Sequence, residues 1–215
     1  MARIAPIDPA QTPDDVRAAL ENLPPLNIFR TLAHAETAFR PFLRFGGAVL
    51  GQMSLDPIVR ELAILAVAKE AEAEYEWIQH VAIAKHLGVT DEQIKALAES
   101  DACAPEGADA RIAAAAARDG SGGDGSAADG AGSFTGAQQA AIELAAAVVR
   151  GPRISDDLYD CIRAQFSDRE IVELLLAIGD YLMLARVMTI LELDIDEAVG
   201  DAVLRGRRDR PADHA

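Results

Sequence analysis

Apolar residues recur at three- and four-residue intervals through most of this chain, the spacing that lays one stripe along an α-helix. Thr12-Pro13-Asp14-Asp15 predicts a helix start and a short helix to about Asn22, broken by Pro24-Pro25. Residues 27–50 read as one or two helices, interrupted near Pro41 and loosened at Gly46-Gly47. Asp56-Pro57 opens the next helix, with Ile58, Leu62, Leu65 and Ala66 as its stripe. The helix after it carries Trp77, Val81, Ala84 and Leu87 and stops at Gly88. Thr90 to Gln93 form a capping box for a short helix towards Ala98. An Ala-rich helix is expected from about Thr135 to Arg150, and a helix capped at Ser155 runs to about Gln165. A second capping box, Ser167 to Glu170, begins the longest helix, which reaches about Leu191 and is apolar nearly all round. Such a helix sits centrally or lines a subunit interface. Residues 194–204 predict one last short helix.

Two of these stripes are interrupted by groups that cores normally exclude. Glu61 lies three residues after Ile58 and four before Leu65, on the apolar side of its helix. His80 follows Trp77 by three and precedes Ala84 by four, and Glu76 lies four before His80 on the same face. An unpaired buried carboxylate or imidazole costs several kcal/mol. Repeated placement of such groups in one segment marks 56–88 as the place to look for chemistry.

Composition sharpens this picture. Half the residues are apolar, few are aromatic, and alanine dominates, which favours closely packed helices over sheets. Residues 102–133 change character to Ala, Gly, Asp and Ser, and they read as a flexible insertion in which 110–118 samples helix through its alanines. The tail, 205–215, reads as disordered, leaving 1–204 as a single domain. The formal charge of −15 argues against nucleic-acid and anionic-membrane partners, both of which require Lys and Arg. No window of about 18 uninterrupted apolar residues exists, and the N-terminus has no apolar signal region, so a cytoplasmic protein is expected. Cys103 and Cys161 form neither C-x-x-C nor a disulfide framework.

Arg60-Glu61-Leu62, then Tyr75-Glu76-Trp77-x-x-His80, then a helix ending in Gly88, resembles the carboxymuconolactone decarboxylase family, which shares its fold with AhpD-type alkylhydroperoxidases. The segment from Pro25 to His34 is similar to these proteins too, as is Glu170 to Leu174 followed by Tyr181-x-Met183-x-Ala185-Arg186. The resemblance covers roughly 20–100 and 135–200 and leaves the Gly/Ala insertion without a counterpart. It implies an all-α, AhpD-like helical bundle that assembles as a trimer or hexamer with sites near subunit contacts.

The peroxidase branch of these proteins carries C-x-x-C, with a Glu nineteen residues before its His. Here Glu61 and His80 keep that spacing, but the cysteine positions fall on Ala73 and Glu76. Thiol peroxidase chemistry needs an attacking thiolate and a resolving thiol, so the resemblance points to the decarboxylase-like branch. It implies a cofactor-independent enzyme without a metal, acting on a small carboxylated lactone or related carbonyl compound. In that reading Glu61 and His80 handle the proton and Glu76 orients or tunes His80. Arg60 or Arg30 holds a substrate carboxylate, and Trp77 contributes to substrate binding.

Plainer readings of the same residues stand beside this one. Glu61 could snorkel outward beside Arg60, Glu76 and His80 could form a solvated i,i+4 pair, and Trp77 could be core. A non-catalytic oligomeric binding protein on the same fold would pair Glu61 with Arg60 or turn it to water. Residual peroxidase activity would have to run through Cys103 or Cys161.

Overall fold

The computed structural model describes residues 1–99, 107–119, 133–200 and 202, and every regular element among them is helical. A 3₁₀ turn, Pro9–Gln11, leads into α1 (Asp14–Glu21) and α2 (Asn27–Leu32), followed by α3 (Glu36–Gly51), α4 (Pro57–Glu70) and α5 (Glu74–Leu87). Then come α6 (Asp91–Glu99), α7 (Ala108–Asp119), α8 (Gly136–Arg150), α9 (Asp156–Gln165) and α10 (Asp168–Ile190).

The centre of the molecule is α4. Asp56 caps it by accepting from the amides of Ile58 and Val59, and Pro57 occupies the first turn, where its missing N–H costs nothing. Every residue from Val59 to Ala68 is buried, because α5, α8 and α10 surround the helix on all sides. Its alanines let these neighbours approach closely. A helix buried all round must satisfy any polar group within the protein, and this fixes the surroundings of Arg60 and Glu61.

A tight turn at Ala71 and Glu72 joins α4 to α5. Glu72 takes a left-handed conformation, φ 54°, and the Ala73 amide donates to the Ala68 carbonyl at 2.8 Å. The turn packs α5 against α4, so that residues nineteen apart in sequence can face each other.

Three elements differ from the sequence reading. The chain breaks at residues 33–35 rather than at Pro41, which lies inside a continuous α3. Ala108–Asp119, read as part of a flexible insertion, is a twelve-residue helix packed on α8 and α9 with Ala108, Ile112 and Ala115 buried. Little bulk is needed there because the approach is close: a Cβ on Gly136 would lie 2.9 Å from the Ala116 Cβ. Arg111 also forks onto Glu143 of α8, at 2.5 and 2.8 Å. The remainder of the insertion, and the 205–215 tail, lie outside the described residues.

Residues 193–199 form no helix. The backbone carbonyls of Asp196 and Glu197 instead accept from the Gln79 side chain on α5, and the Val199 amide donates back to it. Further, α10 is apolar all round but not central. One face packs on α4, while Val172, Leu175, Leu176, Met183 and Ile190 are exposed. No helix among the described residues is long and apolar enough to cross a membrane.

Candidate active site

Glu61 and His80 meet. Glu61 is fully buried on α4, and His80 Nδ1 lies 2.7 Å from its Oε2. The other carboxylate oxygen, Oε1, accepts from Arg60 Nε at 3.2 Å and Nη2 at 3.0 Å, and Arg60 is itself buried. A carboxylate can only accept, so the Nδ1 position carries the hydrogen, which leaves Nε2 of a neutral imidazole as the basic nitrogen. The ring is held further by Tyr181 of α10, edge-on with centroids 4.6 Å apart. Glu61 therefore fixes both the tautomer and the orientation of His80, while Arg60 holds Glu61 in place.

His80 lies on the wall of a cleft of about 590 Å³, counting the part open to solvent, between α2, α3, α5 and α10. Most of the wall is apolar, with Ile28, Phe29, Phe42, Ile83, Leu184 and Met188 contributing large side chains. Its polar groups are Tyr75, Glu76, Gln79, His80, Asp180 and Tyr181. Asp196, on the segment after α10, accepts from the Tyr75 hydroxyl at 2.5 Å and from the Asn27 amide at 2.6 Å. It thereby ties α2 and α5 together beside the cleft. Burial, followed by the hydrogen bond to Asp196 and then its charge, pushes the Tyr75 hydroxyl far above its ordinary value, so it stays a donor.

Glu76 plays a different part from the one its spacing predicts. It makes no hydrogen bond to His80; neither of its carboxyl oxygens has a hydrogen-bond partner, and the residue is almost wholly buried. Burial first, then the charges of Asp180 and Glu61, hold its carboxyl well above the usual carboxylate range. It is an acid whose burial favours the neutral form, and it faces a cleft. The orienting role assigned to Glu76 belongs to Glu61.

A raised folded-state value for an acid means the unfolded chain gives up the proton first. The resulting destabilisation is absent below about pH 4.3, the unfolded glutamate range, and grows as pH rises towards the folded value. Glu76→Gln, which is neutral and nearly isosteric, should unfold at a higher temperature than the parent at pH 7. The two should converge towards pH 4, each unit of raised pKa being worth about 1.4 kcal/mol. A constant difference in melting temperature across pH 4–8 would mean that Glu76 is ionised in the folded protein.

Three other predicted residues are off the wall. The Arg60 guanidinium is committed to Glu61, Arg30 Nε donates to the Ile7 carbonyl at 3.0 Å, and Trp77 is half-buried against the core. None of the three lines the cleft, so the assigned carboxylate-holding and substrate-contacting roles have no support in its geometry. Sequence reasoning missed Asp180, Tyr181, Tyr75 and Gln79 as members of the site. Asp180 left a signal as an acid embedded in the apolar α10, and Tyr75 and Tyr181 stand in the segments that carry the family resemblance. Cys161 lies on α9 away from the cleft, its thiol pushed up by burial and by Asp109, Asp157 and Asp160, while Cys103 falls outside the described residues. Among the described residues, no group of three or more His, Cys, Asp or Glu side chains is arranged to hold a metal ion.

This architecture defines an all-α protein of the AhpD-like fold whose acid and imidazole sit at one cleft. Residues 36–119 match the carboxymuconolactone decarboxylase family, a segment that runs from α3 through α7 and includes Glu61, Glu76 and His80. The match thus extends into the helix that was read as an insertion without a counterpart. Two solved structures share the fold. One is an alkylhydroperoxidase AhpD core, an uncharacterized peroxidase-related protein from Ralstonia eutropha: 16% identity, TM-score 0.66, covering 97% of this chain and 98% of that one. The other is an uncharacterized peroxidase-related protein from Silicibacter sp.: 18% identity, TM-score 0.63, covering 89% and 92%. No curated protein matches the chain in sequence.

Proposed function

We propose that the cleft carries out cofactor-independent acid–base chemistry on a small carbonyl compound or lactone, with His80 Nε2 moving the proton. The observation that carries this reading is the 2.7 Å contact between His80 Nδ1 and a fully buried Glu61, which orients an imidazole on the wall of a largely apolar cleft. In proton abstraction next to a carbonyl, Nε2 takes a hydrogen from carbon. The C–H electron pair delocalises onto the carbonyl oxygen, and the proton returns to the same or a conjugated carbon. In decarboxylation, the variant that the family name suggests, the C–C pair left by departing CO₂ follows the same path, and an acid then protonates carbon. Both reactions use the substrate's own electron sink. A neutral Glu76 can donate a hydrogen bond to the oxygen on which charge develops.

Assembly into a homo-oligomer, as the resemblance implies, belongs to the same reading, and the exposed apolar face of α10 gives it a surface to bury. The competing binding-protein reading draws on the Arg60–Glu61 pair, since such a pair can be purely structural. A peroxidase reading requires Cys103 or Cys161, and replacing both with Ser tests it by peroxide consumption.

The deciding experiment follows two probes with wild-type protein. Carboxymuconolactone is monitored for CO₂ release. A β,γ-unsaturated butenolide is monitored by NMR for exchange of its carbon-bound hydrogens with solvent deuterium. Catalysis of either that disappears in His80→Asn supports the reading; catalysis that persists in this variant removes His80 from the mechanism.

A further inference from the structure

Two charged groups would be expected to dominate recognition if the ligand were a carboxylate, namely a guanidinium and an ammonium, and the cleft wall contains neither among the described residues. Arg60, the cation next to the site in sequence, spends its donors on Glu61. The wall instead carries two carboxyl groups, Glu76 and Asp180, with Glu61, paired to Arg60, directly behind His80. All three are at least nine-tenths buried, so water screens them poorly. An anion entering this cleft would lose its hydration and find no cation on the wall to pair with. That combination costs several kcal/mol per desolvated ion.

The same wall suits a different ligand. Leu26, Ile28, Phe29, Phe42, Leu184 and Met188 can cover an apolar body. Glu76 presents a buried carboxyl group whose oxygens have no partner in the protein. A protonated carboxyl group in that position needs an acceptor, and a carbonyl oxygen supplies one. Two other donors on the wall, Tyr75 and Gln79, are already engaged with the 196–199 segment, and Tyr181 packs edge-on against His80. Glu76 is the wall's buried carboxyl group with both oxygens free to face a ligand.

We propose that the cleft binds an uncharged carbonyl compound, such as an unsaturated lactone or enone without a carboxylate, with its carbonyl oxygen accepting a hydrogen bond from Glu76. This rests on the acid–base reading for its chemistry but not for its binding selectivity. Within that reading, it makes hydrogen transfer at carbon, rather than loss of CO₂, the reaction of this chain. The groups facing Glu76 that share the pH dependence are Asp180 of α10, Glu61 of α4 with its partner Arg60, and His80 and Tyr75 of α5. Binding of the neutral ligand weakens as pH rises and Glu76 loses its proton.

The test is a binding titration at pH 6.5, by calorimetry or ligand-observed NMR, with the full chain. The probes are a five-membered unsaturated lactone and the same ring bearing a carboxylate. The neutral ring should bind at least about tenfold more tightly. Glu76→Gln, which keeps an N–H donor, should retain that affinity, whereas Glu76→Leu should lose about tenfold. If Glu76→Leu fails to fold, Asp180→Asn serves instead: it should improve binding of the carboxylated ring and so narrow the preference for the neutral one, and an unchanged preference overturns the proposal. Equal or tighter binding of the carboxylated ring by wild-type protein overturns the proposal, as does a Glu76→Leu protein that binds the neutral ring unchanged. Selective binding of the neutral ring without hydrogen exchange would sink the acid–base reading and leave this inference standing.

Discussion

Replacing Glu61 with Ala should destabilise the protein by about 3–5 kcal/mol, the range found when one partner of a buried ion pair is removed. The cost arises from what remains. Arg60 is 4% exposed and keeps its charge, and the carboxylate on which two of its nitrogens converge would be gone. His80 Nδ1–H would lose its acceptor at the same time. For a chain of this size the loss corresponds to a fall in melting temperature on the order of 10 °C. Removing both charges should be milder than removing one, so Arg60→Met combined with Glu61→Leu should recover part of the loss. Thermal unfolding of the three proteins checks this. A Glu61→Ala protein within about 1 kcal/mol of the parent would mean that water reaches the pair.

His80→Asn should lower the rate of hydrogen exchange or CO₂ release by about 10²–10⁴-fold, the usual contribution of a positioned acid–base group. The loss should fall on kcat, because the apolar wall that holds the ligand is untouched. Stability should change far less than in Glu61→Ala. Asn keeps a donor for the Glu61 carboxylate, while Arg60 still neutralises it. These two variants therefore separate the roles of the residues. On the proposed acid–base reading, Glu61 acts through His80 and supports the fold, and His80 touches the reacting atoms. A decrease in activity of less than about threefold would place the proton transfer elsewhere.

How much of this was legible in the sequence depends on the range of the interaction. Glu61, Glu76 and His80 could be found because helical periodicity placed ionisable groups on apolar stripes, and that signal needs only one segment. The pairing of Glu61 with His80 follows from a turn of three residues between α4 and α5. The long-range partners left little trace. Tyr181 lies a hundred residues beyond His80, and Asp196 reaches Tyr75 across 121 positions.

Arg60 misled for a related reason. Adjacency to Glu61 says nothing about whether a guanidinium points into a cleft or onto a neighbouring carboxylate. The α7 region was misread because composition counts side-chain bulk, whereas Ile112 and a few alanines suffice where Gly136 permits close approach. Residues 193–199 carry a helix-compatible sequence, but Gln79 takes up their backbone groups. Tertiary hydrogen bonds outweighed local propensity there.

The most direct measurement is the tautomer of His80 by ¹⁵N NMR of the imidazole at neutral pH in the ligand-free protein, assigned with His80→Asn. A hydrogen on Nδ1 and a bare Nε2, with the Nδ1 hydrogen signal altered or lost in Glu61→Gln, is the result predicted. A ring protonated on Nε2 alone, indifferent to the substitution at position 61, would contradict the account.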